Sequence, residues 1–593
     1  MKTKFLSIIL LGLMAVATSC KKYLDITPDG RISMDDVWND PKMAAAYLNS
    51  AYTNMNVNQG GARYFTYAFL ESITDLFHDS DDLEPDALIA NMWYKGSLTP
   101  SYDPTQHHDA ARNGNVYQAY WSGIRQCNVF LANIDKAVMN TELDRARFRA
   151  EVKVLRAWYY LQLCRKYGPM PIIKEPLPID MDFKGLKRPE SFQEIADYID
   201  QEWQDLKNVP ELPWRITVAT EKGRMTKAVM LLLRSRAQLY AASPLYNPAN
   251  DPVKWEKARD YAREAIDLLK ANGNYQLYHD SDIGEQSYEN YFITNQDFSQ
   301  SPRDKETIME NQLPTSLYNG FITGMNGFPQ RGDLEKAGSC PTQELVDMYD
   351  VQSSGLPVLD PSKPYLDNDH LQPNYFTASG YDSQHPYENR DPRFAATVFY
   401  NGSYSPGTGI TLQTYVGGGS ELRSSDRRYT RTGYYLRKFI NQNVPAGQNP
   451  GTIWKSMRFA ELYLNLAEAE NEVNGPGQAV TAAMKPIRDR AHMPDIPQQI
   501  TDKNIMRAYL QKERAVELAL EEQRVWDVRR WKILDKTDKL VTGMRITKQN
   551  DDIYKYERFV VGHRDSWSDK FLIFPIPLTE VAVLGNDWQN PGW

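Results

Sequence analysis

Apolar residues recur at helical spacing along most of the chain, and long stretches without a period separate the helical segments. Between residues 115 and 137, for example, Tyr117, Trp121, Ile124, Leu131 and Ile134 fall on one helical face. The same periodicity, with capping and stop signals, predicts helices over residues 41–56, 141–167, 192–206, 226–242, 251–273, 455–473, 477–491 and 502–531. The predicted fold class is therefore mainly α.

The predicted helices follow one another in pairs that have small residues at their contacts. Such pairs resemble tetratricopeptide units, and residues 226–273 give the best example, although the roughly 34-residue period of that repeat is not strict here. A scaffold of this kind is stable because each helix pair buries the apolar face of its neighbour. We predict a tetratricopeptide-like helical-repeat scaffold over about 40–273 and 455–531.

Two long regions lack helical periodicity, namely residues 71–113 and residues from about 275 to 449. The second region is rich in Gly, Pro, Asn, Tyr and Ser. Long irregular segments inside an otherwise regular fold usually carry function, because a rigid scaffold can present them to a ligand. Both regions are predicted to be ligand-binding loops.

The first twenty residues have the order of a bacterial lipoprotein signal. Lys2 and Lys4 precede an apolar run over residues 5–17, which is shorter than the ~20 apolar residues that cross a bilayer. Small residues then lead to Cys20, the predicted site of lipid attachment. We predict a signal peptide over residues 1–19 and a mature domain over residues 20–593 that acyl chains tether to a membrane.

Composition narrows the function classes. The chain has 593 residues and a net charge of -8, which argues against nucleic acid as a partner. Its 36 Tyr and 13 Trp offer flat apolar faces with a polar edge, which suit sugar rings as well as protein cores. The three cysteines beyond Cys20 form neither a disulfide framework nor a metal-binding motif.

The carboxylate-rich segments favour structural roles over catalysis. Glu513, Glu517, Glu521 and Glu522 lie near Arg514 and Arg524 at helical spacing, which predicts ion pairs or buried scaffold links. Asp391 is predicted to brace the turn before Pro392. No catalytic triad, phosphate loop or zinc-protease motif occurs in the sequence. We therefore predict that the protein is not an enzyme.

A cluster of acids in the first loop region is a candidate metal site. Asp79, Asp81 and Asp82 lie together, but Glu84 stands where a calcium-binding EF-hand loop requires glycine. The cluster is predicted to be a solvated acidic loop, with a structural calcium ion as the alternative. No other metal or cofactor is predicted.

Many short motifs of this chain resemble, in the same order, those of the SusD/RagB family of outer-membrane nutrient-binding lipoproteins of the Bacteroidetes. Each motif is weak alone, but their joint order over nearly the whole chain is specific. They are YLD after Cys20, YWSGIRQCNVFLANID from Tyr120, AEVKVLRAWYYLQLCRKYGPMPII from Ala150, TKAVMLLLRSRAQLYAASPLYN from Thr226, NRDPR from Asn389, RFAELYLNLAEAENEVNG from Arg458, IRDRAHMP from Ile487, ERAVELALEEQRVWDVRRW from Glu513, FPIPLTEV from Phe574 and NPGW at the end.

The resemblance implies a function. Members of this family bind polysaccharides or other glycans at the cell surface and pack as lids on SusC-like TonB-dependent transporters, whereas some relatives serve peptides. The expectation is a glycan-binding lipoprotein of the outer membrane that delivers its ligand to such a transporter. Binding of peptides or another nutrient by the same scaffold stays open, and a surface glycoside hydrolase is disfavoured by the missing carboxylate pair.

Sugar binding requires an aromatic platform and planar polar side chains. We expect an exposed Trp93 to provide the platform. The full set of predicted ligand-binding residues is Asp79, Asp81, Asn91, Trp93, Tyr94 and Tyr102 in the first loop region, and Tyr318, Phe321, Asn326, Phe328 and Arg331 in the second.

Overall fold

The structure is a computed structural model. It describes residues 33–55, 69–82, 89–103, 107–108, 114–178, 180–279, 286–293, 304–311, 322, 324–332, 334–441, 443–444, 454–497, 500–550 and 553–593. The signal peptide, Cys20, Tyr318 and Phe321 lie outside these residues, so the predictions made for them stay predictions.

Helices dominate the fold, as predicted. The first block contains α1 (Met34–Asn39), α2 (Pro41–Thr53), α3 (Ile89–Tyr94), α4 (Val116–Asn133), α5 (Glu142–Tyr167), α6 (Gln193–Leu206), α7 (Lys227–Ala242) and α8 (Pro252–Gly273). The middle of the chain contains the short helices α9 (Ser287–Ile293), α10 (Gln343–Met348) and α11 (Pro392–Thr397). The last block contains α12 (Ala460–Asn474), α13 (Gln478–Arg490), α14 (Lys503–Glu517), α15 (Arg524–Arg530), α16 (Leu534–Thr537) and α17 (Leu578–Leu584).

Among the described residues the strands form only two-stranded, antiparallel sheets. The pairs are β1 (Phe77–Asp79) with β5 (Ser339–Pro341), β2 (His107–His108) with β3 (Gly114–Asn115), β4 (Thr307–Asn311) with β10 (Trp454–Arg458), β6 (Val398–Phe399) with β9 (Tyr435–Leu436), β7 (Tyr404–Ser405) with β8 (Ile410–Thr411), and β11 (Leu540–Asn550) with β12 (Ile553–His563). The sheets are small, but strand residues such as Val398, Leu436 and Ile546 join short helices and loops in a second hydrophobic core, separate from the main core of the helices.

The two helical blocks form one continuous array. Helix α4 packs on α5, α6 packs on α7, and α7 packs on α8. The next neighbour of α8 is α12, which comes almost two hundred residues later and packs in turn on α13 and α14. The main hydrophobic core therefore runs through both blocks, and the long loop region leaves and re-enters the array between two adjacent helices.

Several helix boundaries follow directly from caps that the sequence contains. The Thr141 hydroxyl accepts a hydrogen bond from the Asp144 amide at the start of α5, and Thr226 caps α7 in the same way. Helix α8 begins at Pro252 after the cap Asp251 and ends at Gly273, where Asn274 follows as a C-terminal cap with a left-handed backbone. These predicted helices are confirmed to within one or two residues.

Two predicted helices in the last block are wrong in extent. The segment predicted to be helical from residue 455 begins as strand β10, because it pairs with β4, and the helix starts only at Ala460. The helix predicted over residues 502–531 is interrupted between α14 and α15, where Leu520 and Glu522 have φ values of 63° and 59°. Positive φ angles are incompatible with a right-handed helix, so the chain must turn there.

Buried ion pairs attach the long loop region to the scaffold. Glu517 on α14 is fully buried and accepts hydrogen bonds from Arg393 of α11 (3.0 Å), Arg458 of β10 (2.6 Å) and Arg490 of α13. Glu513, one turn earlier, pairs with Arg393 at 2.6 Å and with Arg488 at 2.8 Å. The prediction that these glutamates are buried scaffold links is confirmed, and their partners are distant in sequence.

Asp391 has the predicted bracing role. Its carboxylate accepts a hydrogen bond from the Arg393 amide at 2.9 Å, caps α11 ahead of Pro392, and pairs with the Arg393 guanidinium at 2.7 Å. Arg390 donates to the backbone carbonyls of Pro386, Val346 and Tyr349.

Across the described ranges, none of the helices is both long and apolar enough to span a membrane.

Candidate ligand-binding surface

The two predicted loop regions meet at the small sheet formed by β1 and β5. His78 lies opposite Cys340, and Asp79 lies opposite Ser339. Each strand comes from a different loop region, so the sheet brings together segments that are more than 250 residues apart in sequence. We call the described residues within 77–82, 324–341 and 413–431 the loop junction.

Backbone geometry at Gly338 fixes the loop junction. The Ser80 amide donates to the Gly338 carbonyl at 2.8 Å, and the Gly338 amide donates to the Ser80 hydroxyl at the same distance. The Ser80 hydroxyl in turn donates to the Arg427 carbonyl at 2.8 Å. Gly338 has φ +67°, and a β-carbon there would lie 2.0 Å from the Met325 carbonyl oxygen. Only glycine fits this position, because any side chain would collide with the neighbouring segment.

Acidic side chains of the first loop region are neutralised by cations of the second. Lys336 is buried and its ammonium lies 3.1 Å from Asp79 and 3.7 Å from Asp81. The Arg427 side chain is about half exposed, and its guanidinium also lies 3.7 Å from Asp81. Burial raises the pKa of Asp79, although Lys336 opposes the shift. The predicted solvated acidic loop is therefore wrong for Asp79 and Asp81, which lie in an internal charge pair network.

A second group of ionisable residues extends this network. Asp82 accepts from Arg431 at 2.6 Å and lies 3.1 Å from His78. Burial lowers the pKa of His78, which keeps its imidazole neutral near pH 7, while His78 and Arg431 hold the pKa of Asp82 below its usual range. Charge at the base of the loop junction is thus fixed by internal partners.

The outer part of the loop junction carries a run of arginines. Arg423 lies over the ring of Tyr429 at 3.8 Å and pairs with Glu421. Arg428 pairs with Asp426 at 2.8 Å and lowers the pKa of that carboxyl to about 2. The side chains of Arg423 and Arg428 are 43% and 59% exposed, so planar hydrogen-bond donors face solvent here.

Partly exposed tyrosines continue the same surface onto the hairpin of β11 and β12. The ring centroids of Tyr415 and Tyr554 are 5.7 Å apart, and those of Tyr554 and Tyr556 are 6.5 Å apart. The Val416 amide donates to the Ile546 carbonyl at 2.9 Å, which ties the loop junction to the hairpin. We call Tyr415, Tyr554 and Tyr556 the tyrosine row. Alternate residues of a strand share one face, which explains why Tyr554 and Tyr556 lie side by side.

Polar side chains adjoin the tyrosine row. The Tyr415 hydroxyl donates to the Gln413 side-chain oxygen at 3.3 Å, and the Gln413 backbone amide donates to the Gln330 side-chain oxygen at 3.0 Å. The Lys548 ammonium lies 5.7 Å from the Tyr415 ring. Aromatic rings and planar amides therefore occur together, as recognition of a sugar requires.

The expectation that Trp93 forms an exposed platform is wrong. Trp93 is only 1% exposed and packs against Phe571 and Phe574, with the Arg529 guanidinium 4.9 Å from its ring. Helix α3 presents this ring to the core because apolar partners from the C-terminal segment cover it. Trp93 stabilises the fold and cannot stack on a ligand.

Five other predicted ligand contacts are also buried, namely Asp79 and Asp81, whose cationic partners are given above, and Tyr94, Asn326 and Phe328. Tyr94 donates its hydroxyl to the Ser72 carbonyl and accepts from the Asp79 amide, so it supports the loop junction from below. Asn326 accepts from the Ser339 amide at 2.9 Å, and Phe328 packs on Phe399 in a small core. Their predicted contact with ligand is therefore wrong, although Tyr94 and Asn326 position the strand pair.

The three other described residues of the predicted set have accessible positions. Tyr102 is 46% exposed, Asn91 is half-buried on α3, and Arg331 is half-buried at the end of a short turn of 3₁₀ helix over Pro329–Arg331. The described backbone partner of Tyr102 is Thr99. Arg331 belongs to the loop junction.

Sequence reasoning missed the tyrosine row and the hairpin that carries it. Residues 544–547 and 554–557 alternate apolar and polar side chains on either side of Asp551 and Asp552, a signal that predicts a β-hairpin. That signal would have placed Tyr554 and Tyr556 on one face.

Within the described ranges, no three His, Cys, Asp or Glu side chains are grouped in a way that would hold a metal ion.

The fold and this surface define a helical-repeat protein whose loops and terminal hairpin build a surface with aromatic and planar polar groups. The chain belongs to the SusD/RagB family. A model described as the SusD family matches residues 305–593, and a model described as "Starch-binding associating with outer membrane" matches residues 22–204. The family resemblance read from the sequence is thus confirmed over most of the chain.

Individual relatives agree with this assignment. The starch-binding protein SusD of Bacteroides thetaiotaomicron is 25% identical over 501 residues, which cover 81% of this chain and 78% of that protein. The crystal structure of a SusD-like protein from Bacteroides fragilis has a TM-score of 0.73 and 25% identity, covering 95% of this chain and 99% of that one. The surface glycan-binding protein A of Bacteroides fluxus shares the fold, with a TM-score of 0.56, 19% identity, and coverage of 94% and 100%.

Proposed function

We propose that this protein captures a glycan at the outer-membrane surface and passes it to a SusC-like TonB-dependent transporter, without covalent chemistry and without a cofactor. The observation that carries the proposal is the tyrosine row beside the loop junction, in a chain of the SusD/RagB family. Two relatives are named for starch binding and for surface glycan binding.

The chemistry of the surface fits a glycan better than a peptide. Tyrosine rings offer apolar faces to the C–H groups of a pyranose, and amides and guanidinium groups bind hydroxyls in their plane. A peptide site usually offers an unpaired strand edge or an uncompensated charge. On the loop junction the carboxylates have cationic partners, as the pairing of Asp81 with Lys336 and Arg427 illustrates.

A binding role without catalysis is consistent with the state of the conspicuous glutamates. A glycosidase requires two carboxylates on either side of a sugar bond, one of them with a raised pKa. Glu513 and Glu517 are buried among arginines that lower their pKa values, to about 2 for Glu513. They bind buried arginines of the scaffold and of the long loop region and have no access to a sugar.

Tethering would give the protein its place beside a transporter. A lipid on Cys20 would hold the protein at the membrane. Its bound ligand would then have a high effective concentration beside a neighbouring barrel. We propose that the scaffold helices make most of the contact with the barrel and that the loop junction faces the ligand. Weak binding of the glycan would then suffice for delivery.

The binding proposal is tested by a glycan array on the purified protein that lacks residues 1–20, followed by calorimetric titration of any glycan that binds. Replacing Tyr554 by Ala should weaken binding about 5- to 10-fold, since one aromatic contact is removed. The matched control is Tyr261→Ala, which removes a half-buried, arginine-stacked tyrosine from the scaffold helix α8. Equal losses in both variants, or binding of peptides alone, would refute the proposal.

The delivery proposal requires a different experiment. After mild detergent extraction from the native host, affinity purification of the full chain should recover a large β-barrel protein in stoichiometric amount. Tyr554→Ala should recover the same amount, because the tyrosine row is assigned to the ligand. Recovery without any barrel protein, or loss of the barrel in Tyr554→Ala, would contradict this division of roles.

A further inference from the structure

The charged side chains of the loop junction are matched with one another. Residues 77–82, 324–341 and 413–431 contain six Lys and Arg against seven Asp and Glu, a formal net charge of -1. Five ion pairs join most of them: Lys336 with Asp79 (3.1 Å), Arg427 with Asp81 (3.7 Å), Arg431 with Asp82 (2.6 Å), Arg428 with Asp426 (2.8 Å) and Arg423 with Glu421 (2.5 Å).

Such pairing leaves little positive potential for an anionic ligand. A uronate or sulfate group approaching Arg428 meets the Asp426 carboxylate at the same place, and the same holds for Arg423 and Glu421. An acidic ligand would have to replace an internal carboxylate, and like charges close together cost free energy. The exposed arginines therefore act as planar hydrogen-bond donors whose charge is already balanced.

The neighbouring segments supply little net positive charge. The hairpin over residues 540–563 contains four Lys and Arg, among them Lys548 beside Tyr415, against three Asp and Glu, a formal net charge of +1. Residues 312–321 contain no charged side chain, and residues 83–88 add only Glu84 and Asp86. Residues 109–113 add Asp109 and Arg112, which cancel. By composition, the two loop regions around the junction are neutral to acidic.

The tyrosine row supplies the opposite kind of contact. Its ring centroids are 5.7 Å and 6.5 Å apart, with Tyr554 and Tyr556 on the hairpin and Tyr415 on the adjoining loop. Stacking on such rings depends on apolar area and on the C–H groups of a sugar, and it is insensitive to salt. Binding that relied on charge would instead weaken as salt screens the field over about 10 Å.

We infer that the ligand of this surface is an uncharged glycan, bound by stacking on the tyrosine row, and that acidic glycans are excluded by the paired carboxylates of the loop junction. This inference rests on the proposed glycan-binding function. It assigns the class of glycan and the residues that select it.

The test compares neutral and acidic hexasaccharides by calorimetric titration of the protein lacking residues 1–20. The neutral probes are maltohexaose, cellohexaose, xylohexaose and mannohexaose, and the acidic probes are hexagalacturonate and hexamannuronate. At least one neutral probe should bind, with a Kd that changes less than about 2-fold between 50 and 500 mM NaCl. Neither acidic probe should bind more tightly than the best neutral one.

Variants separate stacking from charge. Tyr554→Ala should weaken the neutral probe about 5- to 10-fold and Tyr554→Phe should restore it, since the ring and not the hydroxyl carries the contact. Arg428→Gln removes the charge but keeps a planar donor, so it should weaken the neutral probe less than Tyr554→Ala does. Far-UV circular dichroism checks that each variant is folded, and Tyr415→Ala provides a second test of the row.

The outcomes distinguish the two proposals. Preferred binding of hexagalacturonate or hexamannuronate, with a Kd that rises more than about 10-fold at 500 mM NaCl, overturns the assignment to neutral glycans but leaves glycan binding intact. Neutral binding that is unaffected in both Tyr554→Ala and Tyr415→Ala overturns the role of the tyrosine row. Failure of every glycan, on the array and in these titrations, refutes the proposed function itself.

Discussion

Replacing Glu517 by Gln removes the charge at the centre of the buried ion pairs that hold the long loop region on the scaffold. Glu517 binds three guanidinium groups, from Arg393, Arg458 and Arg490. A glutamine amide keeps one acceptor oxygen but directs its N–H groups at cations. Breaking a buried ion pair from one side costs about 3–5 kcal/mol.

The loss is not three times that value, because each arginine keeps another carboxylate. Arg393 retains Asp391 and Glu513, while Arg458 and Arg490 both retain Glu306. We therefore expect a decrease of about 4 kcal/mol in the free energy of unfolding at pH 7. Urea titration monitored by tryptophan fluorescence measures this decrease in the free energy of unfolding. The control is Glu142→Gln on α5, whose side chain is 81% exposed, with an expected change within about 0.5 kcal/mol.

The pH dependence provides a second measurement of the same interaction. Three arginines hold the pKa of Glu517 far below 4.5, so its contribution to stability is present above pH 4.5 and is lost as the pH falls toward the folded value. The difference between wild type and Glu517→Gln should thus be constant from pH 5 to 8 and shrink in acid. A difference below about 1 kcal/mol at pH 7, or one that grows in acid, would refute this account of the ion pairs.

Further predictions concern burial and anchoring. Glu71 is buried, one of its oxygens accepts a hydrogen bond from the Gln523 amide, and burial raises its pKa to about 8. The wild type should therefore lose up to about 4 kcal/mol of stability as the pH rises from 4.5 to 8, whereas Glu71→Gln should lose much less. Urea midpoints that fall in parallel for the two proteins would contradict this prediction. Trp93→Ala should lower stability by about 3–5 kcal/mol, whereas an unchanged Tm with lost glycan binding would restore its role as a platform. Cys20→Ala should leave the membrane fraction or remain unprocessed, and a wild type that takes up no fatty-acid analogue would disprove lipid attachment.

Local signals in the sequence were sufficient for most of the scaffold. Helices α5 and α7 carry an apolar stripe, a threonine cap and a stop, and each of these acts within a few residues. Strand β10 and the turn after α14 were mispredicted for the opposite reason. There the pairing with β4 and the positive φ of Leu520 depend on distant neighbours, which override local periodicity.

The candidate site was predictable only as two regions. Long aperiodic segments marked both loop regions, but the pairing of Asp79 with Ser339 is a contact between distant residues that no local pattern reports. Trp93 was misjudged because a tryptophan in an irregular region looks available, and only the position of Phe571 and Phe574 shows that it is covered. The alternation of apolar and polar residues in their strand could have predicted that Tyr554 and Tyr556 share one face.

Because α8 and α12 are adjacent, the long loop region between them can change in length and sequence without disturbing the helical array. The long loop region begins after α8 and ends before α12, and these helices pack on each other, so its two ends lie at neighbouring points of the array. Lengthening a loop whose ends are already close costs only about 0.6 kcal/mol for each doubling. Arg393 is its fixed point, because Glu513 and Glu517 hold it to the scaffold. Segments on either side of that point are open to exchange, and new ligand specificities can evolve there while the helical array and its contacts stay constant.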